Sequence, residues 1–581
     1  MEEALLAGKA PLRRLRPPKG GFRTIPFILG NQALEKVAYY GVIPNMIVYM
    51  TREYGMGAAE AANALFLWSA ATNFFPLLGA FLSDCYSGRF LVVGLGSSIS
   101  LLGMLLLWST TLFPQARPQC DKSTTPTCQS TTPDQLFLLY SSFALTAVGA
   151  GGIRSSCLAF AADQLKPAAE DDRDKISAGG SIARSALESL FNWYYISIMV
   201  ASFISQTCLV YIQTSFGWKV GFGVPVAMMA LSVVLFFAAS PFYVKAKGDS
   251  GLVAGLAQVV VSAFRNRRRI DLASENRISY HHQKGSSLLI PSDKLRFLNK
   301  ACVLSNPQQD LTLTGIPRNP WNLCTVQQVE DLKSLVRVLP VWSTGIALCM
   351  TTSQGSFVVL QAKSMDRQTA IPGFQIPAGS YGVFMIISFV IFLAIYDRVI
   401  VPIGSRIRRK PFRLGLMQRM GTGLVISVMS MAALATVEYF RRKTKHCPDK
   451  TDDCKEMSAT WLLPYMVLSG VAEALNAIAQ NEFFYGELPK TMSSIATTLF
   501  GLSMAAASLI SGWFVSAVDS LTGDGRGGSW VSGDINSGHL DYYYWVISGL
   551  CVINVLYFVH CSRAYGKCKG EDEEEEERIN M

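Results

Sequence analysis

The sequence predicts an all-helical membrane protein in which twelve spanning helices form two six-helix bundles. Half of its 581 residues are hydrophobic, only 16% are charged, and the mean hydropathy is +0.27. Soluble domains carry roughly 25% charged residues. The composition therefore excludes disordered, collagen-like and disulfide-scaffold proteins and disfavours a soluble multidomain enzyme. Two further observations are a series of long apolar runs and one long polar connection halfway along the chain.

Twelve runs are long enough to cross a membrane, since a spanning helix needs about 20 mainly apolar residues. The first run is too long and too charged for a signal peptide. In chain order the runs cover residues 24–50, 62–83, 90–113, 134–158, 188–211, 218–243, 332–358, 378–402, 416–438, 461–485, 492–516 and 541–563.

The connections between the runs are mostly short, but residues 244–331 separate the sixth run from the seventh. Two six-span halves are typical of transporters whose substrate site lies between the halves. We therefore expect a basic tail at 1–23, an N-terminal bundle at 24–243, a linker at 244–331, a C-terminal bundle at 332–564 and an acidic tail at 565–581.

The linker contains one apolar segment, residues 251–264, which is followed by the basic sequence RNRRR at 265–269. It is too short to span a membrane, and its pattern predicts an amphipathic helix. Such a helix would lie on the inner membrane surface or pack against the bundles, and the sequence leaves both arrangements open.

Lysine and arginine concentrate on one side of the twelve-span arrangement, in the N-terminal tail, the linker and the loop after the eighth run. An excess of these residues marks cytoplasmic loops, so both termini are predicted to be cytoplasmic. The plasma membrane is the default location, with the vacuolar membrane as the alternative. One predicted external loop is an exception, because it carries Arg441, Arg442, Lys443 and Lys445.

Two pairs of cysteines also lie in predicted external loops, Cys120 with Cys128 and Cys447 with Cys454. An oxidising compartment would allow each pair to form a disulfide. The sequence leaves both disulfides open.

Few ionisable residues lie deep inside the runs. A charged side chain at the centre of a bilayer costs roughly 2.5–3.5 kcal/mol on insertion scales. The first run carries Glu35 and Lys36, one turn after Gln32. The fourth carries Arg154 and the tenth carries Glu473. The seventh run carries uncharged polar residues instead, namely Ser343, Thr344, Thr351, Thr352, Ser353 and Gln354.

These four runs would be the first helices of four three-helix units. First helices that face one central cavity would explain all four placements. The alternative is that each charge forms a structural ion pair between two helices. The joint placement favours the cavity, and it makes Gln32, Arg154, Trp342, Thr352, Gln354, Glu473 and Asn476 candidate substrate-binding residues.

A transport mechanism follows from these charges. A carboxyl group in a low-dielectric site ionises less readily, so Glu35 and Glu473 are candidate proton carriers. Arg154 keeps its proton and can only exchange partners. It would pair with Glu473 when that carboxyl is ionised and hold an anion when it is protonated. The proton-coupling set is therefore Glu35, Lys36, Arg154 and Glu473.

Four motifs resemble those of the plant nitrate and peptide transporter family, the proton-coupled oligopeptide transporter branch of the major facilitator superfamily. They are GAFLSDCYSGRF (79–90), GGIRSSCLAFAADQL (151–165), FNWYY (191–195) and NEFFYGELPKTMSSIATTLFG (481–501). The resemblance covers nearly all of residues 22–565. It implies a major facilitator fold and alternating access, with Asp84 and Arg89 as gating residues on the inner side.

The family's proton site is a Glu-x-x-Glu-Arg/Lys motif, a basic residue in the fourth span and a glutamate in the tenth. The resemblance places these roles on residues 32–36, Arg154 and Glu473. Gln32 stands where the family has the first glutamate, which removes one titratable group. We therefore predict proton coupling, with the lower proton stoichiometry favoured.

The segments ALEKVAYYG (33–41), IPNMIVYM (43–50) and PSDKLRFLNKA (291–301) most resemble the family's first subfamily. Its members imply nitrate as the first candidate substrate, a carboxylate hormone of the gibberellin or jasmonate type as the second, and di- or tripeptides as the third. Thr352 stands where a nitrate-binding relative has a histidine. The expected partners are a small anion, protons and the lipid bilayer, with no cofactor, metal or nucleic acid, and a monomeric chain.

Three other function classes compete with a carrier. A membrane enzyme would need a nucleophile–base pair or metal ligands, and the runs contain no such cluster. A channel would show a selectivity filter or a ring of like charges. A transporter-like receptor that binds without moving solute stays open, because Gln32 has replaced one proton-carrying group.

Overall fold

The computed structural model describes residues 20–566 apart from several gaps. The longer gaps are 119–129, 171–178, 246–251, 268–278, 283–289, 410–413, 446–456 and 524–528, and the shorter ones are 305–306, 313–314, 316, 370–372, 490–491 and 532–534. Both predicted cysteine pairs and most of the two predicted tails lie outside the described residues.

The described residues form helices joined by turns and a few isolated β-bridges. This confirms the all-helical prediction. The helices are α1 (Ile25–Glu53), α2 (Ala58–Leu82), α3 (Arg89–Leu112), α4 (Pro133–Glu170), α5 (Gly179–Ile204), α6 (Val210–Ala238), α7 (Leu252–Asn266), α8 (Arg296–Asn299), α9 (Pro307–Asp310), α10 (Val326–Thr352), α11 (Gly355–Lys363), α12 (Gly382–Ile395), α13 (Val401–Arg408), α14 (Leu416–Lys445), α15 (Leu463–Glu487), α16 (Ser493–Thr522) and α17 (Leu540–Tyr565).

Among the described residues, ten segments are long and apolar enough to cross a membrane. One of them, Trp193–Phe242, covers the second half of α5 and all of α6 and is 50 residues long. The helical geometry breaks there at Gly217, whose φ of 78° and ψ of 175° lie outside the helical region. Helix α1 is not among the ten, because its polar and charged residues lower its hydropathy. Counting that long segment twice and adding α1 gives the twelve predicted spans.

Helices α1 to α6 pack mainly on one another, and helices α10 to α17 do the same. Glycines allow the closest approach, because a Cβ on Gly149 of α4 would lie 2.6 Å from the carbonyl oxygen of Gly96 on α3. The two groups meet where α2 packs on α16 and α1 packs on α11. We call the face on which α1 begins and α17 ends the terminal face, and the opposite one the distal face.

Matching features occur near the terminal face of both groups. A π-helical turn follows α2 at Ser83–Ser87, and another follows α12 at Tyr396–Ile400. Arg89 binds Asp163 at 2.6 Å in the first group, and Arg419 binds Glu482 at 2.6 Å in the second. The first ion pair joins α3 to α4, and the second joins α14 to α15.

The amphipathic segment of the linker is helical, as predicted, and forms α7. Its Val259 and Ala263 are buried in a cluster with Val326 and Val329 at the start of α10. Val260 and Phe264 lie exposed on the other side of α7. Of the two predicted arrangements, this structure shows the helix packed against a bundle.

The basic residues at 441–445, which the distribution of lysine and arginine did not predict on the external side, have a structural explanation. The Arg441 side chain is 2% exposed and binds the fully buried Glu438 with two hydrogen bonds, at 2.6 and 2.7 Å. Arg442 binds Asp541 at 2.7 Å. Two of the four basic residues in this loop region are therefore neutralised inside the distal face.

Candidate functional site

A cavity of about 470 Å³ lies between the two groups of helices. Such a volume is typical of small-molecule sites. Residues from α1, α2 and α5 form one side, and residues from α10, α11, α12, α15 and α16 form the other. Aromatic side chains dominate the wall, among them Tyr39, Tyr40, Phe66, Trp68, Tyr381 and Phe389. Among the described residues that line the cavity, only Glu473 is charged.

Two short contacts join the two groups of helices on the distal side of the cavity. A Cβ on Gly379 would lie 2.5 Å from Oδ1 of Asn45 in α1. A Cβ on Gly382 would lie equally close, at 2.5 Å, to Oε1 of Gln206, in the π-helical turn between α5 and α6. A side chain at either position would require the neighbouring amide to move.

Glu35 and Arg154 form a buried ion pair between α1 and α4. The Arg154 Nη2 donates to Glu35 Oε1 at 3.1 Å, and their side chains are 14% and 0% exposed. The Arg154 guanidinium also lies 4.3 Å from the centre of the Tyr39 ring. Tyr39 also lines the cavity, so Arg154 contacts a residue of the cavity wall.

Lys36 and Gln32 complete a cluster with this pair, which we call the α1–α4 cluster (Gln32, Glu35, Lys36 and Arg154). The Lys36 ammonium lies 5.2 Å from the centre of the Tyr40 ring, and Tyr40 also lines the cavity. The Gln32 side chain is fully buried, and neither amide atom has a hydrogen-bond partner among the described residues. The Arg154 Nε has none either.

The charge of the α1–α4 cluster does not balance. Two cations, Lys36 and Arg154, face one carboxylate, Glu35, so the cluster carries one excess positive charge when all three are ionised. Burying such a charge without compensation is costly. The cluster therefore favours an additional anion or the loss of a proton.

Glu473 lies on α15, on the opposite side of the cavity. No ion pair within 4.0 Å involves it among the described residues. Arg154 pairs with Glu35 here, so the expected Glu473–Arg154 pair is not formed in this conformation. The cavity thus places a basic cluster and a single carboxylate on opposite walls.

The architecture around this cavity is shared with transporters of known structure. An auto-inhibited POT family peptide transporter superposes with a TM-score of 0.66 at 18% identity, covering 94% of this chain and 98% of that one. The POT family transporter PepTSo gives 0.65 at 16% identity, with 94% and 98% coverage. At these identities the likeness concerns the fold.

Sequence comparison decides the family. Residues 90–531 match PTR2, the POT family. The chain belongs to the POT family. Protein NRT1/PTR FAMILY 1.3 of Arabidopsis thaliana is 54% identical over 568 residues, covering 98% of this chain and 99% of that protein. Protein NRT1/PTR FAMILY 1.2 of the same plant is 49% identical over 557 residues, covering 94% and 90%.

Membership of the POT family confirms the resemblance inferred from the motifs, including the first subfamily. The POT structures that superpose on the chain are transporters. The POT family, to which the chain belongs, is a family of membrane transporters and not of enzymes, and the described residues contain ten segments long and apolar enough to cross a membrane.

Of the seven predicted substrate-binding residues in this POT protein, Thr352 and Glu473 line the cavity. Gln32 and Arg154 belong to the α1–α4 cluster and are not among the cavity-lining residues, although Arg154 contacts the ring of Tyr39, which is. The hydroxyl of Thr352 donates to the Cys349 carbonyl at 3.1 Å, as a helical threonine often does.

The other three predicted residues do not line the cavity. The Trp342 indole donates to the Leu499 carbonyl of α16 at 2.9 Å. The Gln354 amide accepts from the Tyr543 hydroxyl of α17 at 3.0 Å. Asn476 donates to the Met420 carbonyl of α14 at 3.0 Å. Polar side chains inside a bundle often bind the backbone or polar groups of neighbouring helices in this way, and a substrate-binding role for these three residues stays a prediction.

Asp84 and Arg89 lie together near the terminal face, 3.5 Å apart. Arg89 makes a shorter contact with Asp163, at 2.6 Å, which the sequence interpretation missed. Asp163 is part of the GGIRSSCLAFAADQL motif, and its position near the end of an apolar run was the available signal. This ion pair fixes the ends of α3 and α4 to each other.

Proposed function

We propose that this POT transporter is a proton-coupled symporter of a small anion, with nitrate as the first candidate. The observation that carries the proposal is the burial of two basic residues, Lys36 and Arg154, with one acidic residue, Glu35, beside a cavity in which Glu473 is the only charged residue among the described lining residues. The Gln32 amide and the Arg154 Nε, which have no hydrogen-bond partner among the described residues, add capacity to bind an anion there. A monovalent anion would balance the charge of the cluster.

Anion binding is coupled to proton uptake because Arg154 exchanges one ionic partner for another. To hold an anion, Arg154 turns from Glu35 toward the cavity, past the ring of Tyr39. The Glu35 carboxylate, which is fully buried, then loses its cationic partner and takes up a proton. Glu473, on the other wall, provides the carboxyl group that receives the proton from the distal side. One proton accompanies one anion, so the transported pair is electrically neutral.

A carboxylate plant hormone of the gibberellin or jasmonate type is the second candidate. The size of the cavity favours it, since about 470 Å³ with an aromatic wall suits an organic acid. The same cations would bind its carboxylate, while Phe66 and Trp68 would contact its apolar body. Di- and tripeptides are the third candidate, and a receptor that does not transport remains the alternative from another class.

The proposal is tested by uptake in oocytes at pH 5.5 and 7.4. Labelled nitrate, a gibberellin, a jasmonate and a dipeptide are offered separately to the wild type and to Glu473→Gln. We expect uptake of one of the anions to be stimulated by acid in the wild type. In Glu473→Gln, we expect the stimulation to be lost, while exchange of labelled for unlabelled substrate persists. Glu60→Gln is the matched control, because Glu60 is an exposed carboxylate at the start of α2.

The outcomes separate the candidates. Acid-stimulated nitrate uptake supports the first candidate, and uptake of only a hormone supports the second. Equal uptake at both pH values, unaffected by Glu473→Gln, contradicts proton coupling and leaves a uniporter. A chain that binds substrate at the cell surface but accumulates none would be a receptor.

Replacing Gln32 by glutamate gives a further prediction. The new carboxylate would make the α1–α4 cluster neutral, with two cations and two carboxylates. We expect the KM for the anion to rise about tenfold, which corresponds to roughly 1.4 kcal/mol of lost attraction. We also expect uptake to depend more steeply on pH, because a second group can carry a proton. Both quantities are measured from uptake kinetics between pH 5.0 and 7.5.

Gln480→Glu is the control for burying a carboxylate elsewhere. Gln480 is also buried, its amide atoms also lack partners among the described residues, and it lies on α15, in the other group of helices. A Gln32→Glu variant whose anion KM is unchanged would show that the cluster does not attract the anion.

A further inference from the structure

Three basic residues from both groups of helices meet above the cavity, on the distal face. Arg52 lies in the last turn of α1 and is exposed. Lys363 is the last residue of α11 and is partly buried. Arg367 follows in the segment that leads to α12 and is partly buried as well. We call Arg52, Lys363 and Arg367 the distal triad.

The packing of the helices brings the triad together. Helix α1 packs directly on α11, and both run toward the distal face, so their ends are neighbours. Lys363 ends α11 four residues before Arg367, and the charges of Arg52 and Arg367 both act unfavourably on its ammonium group. Arg367 is held in place by a backbone pairing with Ile376, whose N–H donates to the Arg367 carbonyl at 3.2 Å.

No carboxylate neutralises the triad within 4.0 Å in the part of the chain that the structure describes. The two nearest acidic residues in the sequence have other partners. Glu53 binds Arg117 at 2.7 Å. The Asp366 carboxylate accepts a hydrogen bond from the Gln368 N–H at 3.0 Å. The triad therefore keeps most of its positive charge.

The triad lies on the distal side of the cavity. Val359 of α11 lines the cavity, and Lys363 follows it one helical turn nearer the distal face. Below the triad, Asn45 of α1 contacts Gly379, which precedes α12. An ion that enters from the distal side thus passes the triad before it reaches the cavity.

Like charges across a closing gate oppose its closure. Arg52 belongs to one group of helices, whereas Lys363 and Arg367 belong to the other. When the groups separate on this side, the repulsion falls; when they meet, it rises. An anion between the cations would offset this repulsion and make closure more favourable.

We propose that the distal triad is an anion-binding gate, which captures a monovalent anion such as nitrate or an organic carboxylate and closes over it. The triad concentrates the anion at the mouth of the cavity and couples its arrival to closure of the contacts at Gly379 and Gly382. The proposal rests on anion transport, and it adds a second binding site, separate from the α1–α4 cluster.

The test measures the KM and kcat of anion uptake for Arg52→Gln, Lys363→Gln and Lys363→Arg. Uptake is measured in low-salt medium and again after addition of an impermeant salt, N-methylglucamine methanesulfonate. The substrate is the anion that the wild type transports best. Lys443→Gln is the matched control, because Lys443 is an exposed cation at the distal end of α14 and is not part of the triad.

At low salt, we expect each glutamine variant of the triad to raise the KM roughly three- to fivefold. The difference should shrink at high salt, because exposed charges are screened over about 8–10 Å. Lys363→Arg should keep the wild-type KM, and Lys443→Gln should leave it unchanged. Arg52 is exposed, so its variant should fold even if the Lys363 variants do not.

If Arg52→Gln and Lys363→Gln both have the same KM as the wild type, the proposed gate is wrong. This holds even when uptake stays anion-selective and acid-stimulated, because the proposed transport function then stands without the gate. An Lys363→Arg variant as impaired as Lys363→Gln would also overturn it, since packing and not charge would then be the role of Lys363. If the wild type transports only neutral dipeptides, the proposed anion function fails and the gate fails with it.

Discussion

Replacing Arg154 by glutamine is expected to lower stability by about 3–5 kcal/mol and to abolish transport. The substitution removes the only ion-pair partner that the fully buried Glu35 has within 4.0 Å among the described residues, and leaves it with the more distant Lys36. It also removes the cation that we propose binds the anion. The fall in stability is measured as a lower melting temperature of the detergent-solubilised protein, and transport is measured as uptake per molecule at the cell surface.

The double variant Glu35→Gln/Arg154→Gln separates the two effects. It removes both charges, so we expect most of the melting temperature to return. Transport should stay absent, because the anion site and one proton carrier are missing. Wild-type uptake by the double variant would show that this pair is only structural, and an unchanged melting temperature in Arg154→Gln would contradict the buried pair itself.

Replacing Arg441 by glutamine is expected to lower stability by a similar amount, about 3–5 kcal/mol, without changing transport per molecule. The substitution leaves the carboxylate of Glu438 buried, at 0% exposure, and without its two charged hydrogen bonds. It also removes hydrogen bonds to Ser364 and Asn536, each at 2.9 Å. The pair does not line the cavity, so the kcat of the molecules that reach the surface should be unchanged.

The double variant Glu438→Gln/Arg441→Gln is the matched comparison. We expect it to recover most of the melting temperature and to transport like the wild type, unlike the double variant at Glu35 and Arg154. Loss of kcat in the Glu438→Gln/Arg441→Gln protein would mean that this distal pair also takes part in the transport cycle.

These two buried ion pairs show that a charged residue inside an apolar run of the sequence is not necessarily a functional residue. Glu438 and Arg441 lie three residues apart on one helix and satisfy each other. Glu35 and Arg154 lie on different helices beside the cavity, and the cluster around them keeps an unbalanced charge. The two pairs therefore differ in their surroundings, since only the pair beside the cavity has a further cationic residue, Lys36, next to it.

The bounds of several helices also depended on more than hydropathy. Helix α4 continues to Glu170, well past the apolar run that ends at 158. Helix α10 begins at Val326, before the run that begins at 332, because the Thr325 side chain and Gln328 form a capping box. The apolar runs record only the parts of the helices that the membrane covers, whereas caps and polar turns extend them into water.

The sequence by itself determined that the chain is a twelve-span helical transporter of the POT family and that Glu35, Lys36, Arg154 and Glu473 needed an explanation. The cost of placing apolar residues in water, or charges in lipid, acts on each helix separately and can therefore be read from one chain. The tertiary structure decided which partner each polar group has. It paired Arg154 with Glu35, turned Trp342, Gln354 and Asn476 toward other helices, and brought Arg52 close to Lys363. The reason is that helical periodicity fixes which residues share a face, but the rotation and neighbours of that face are set by packing between distant segments.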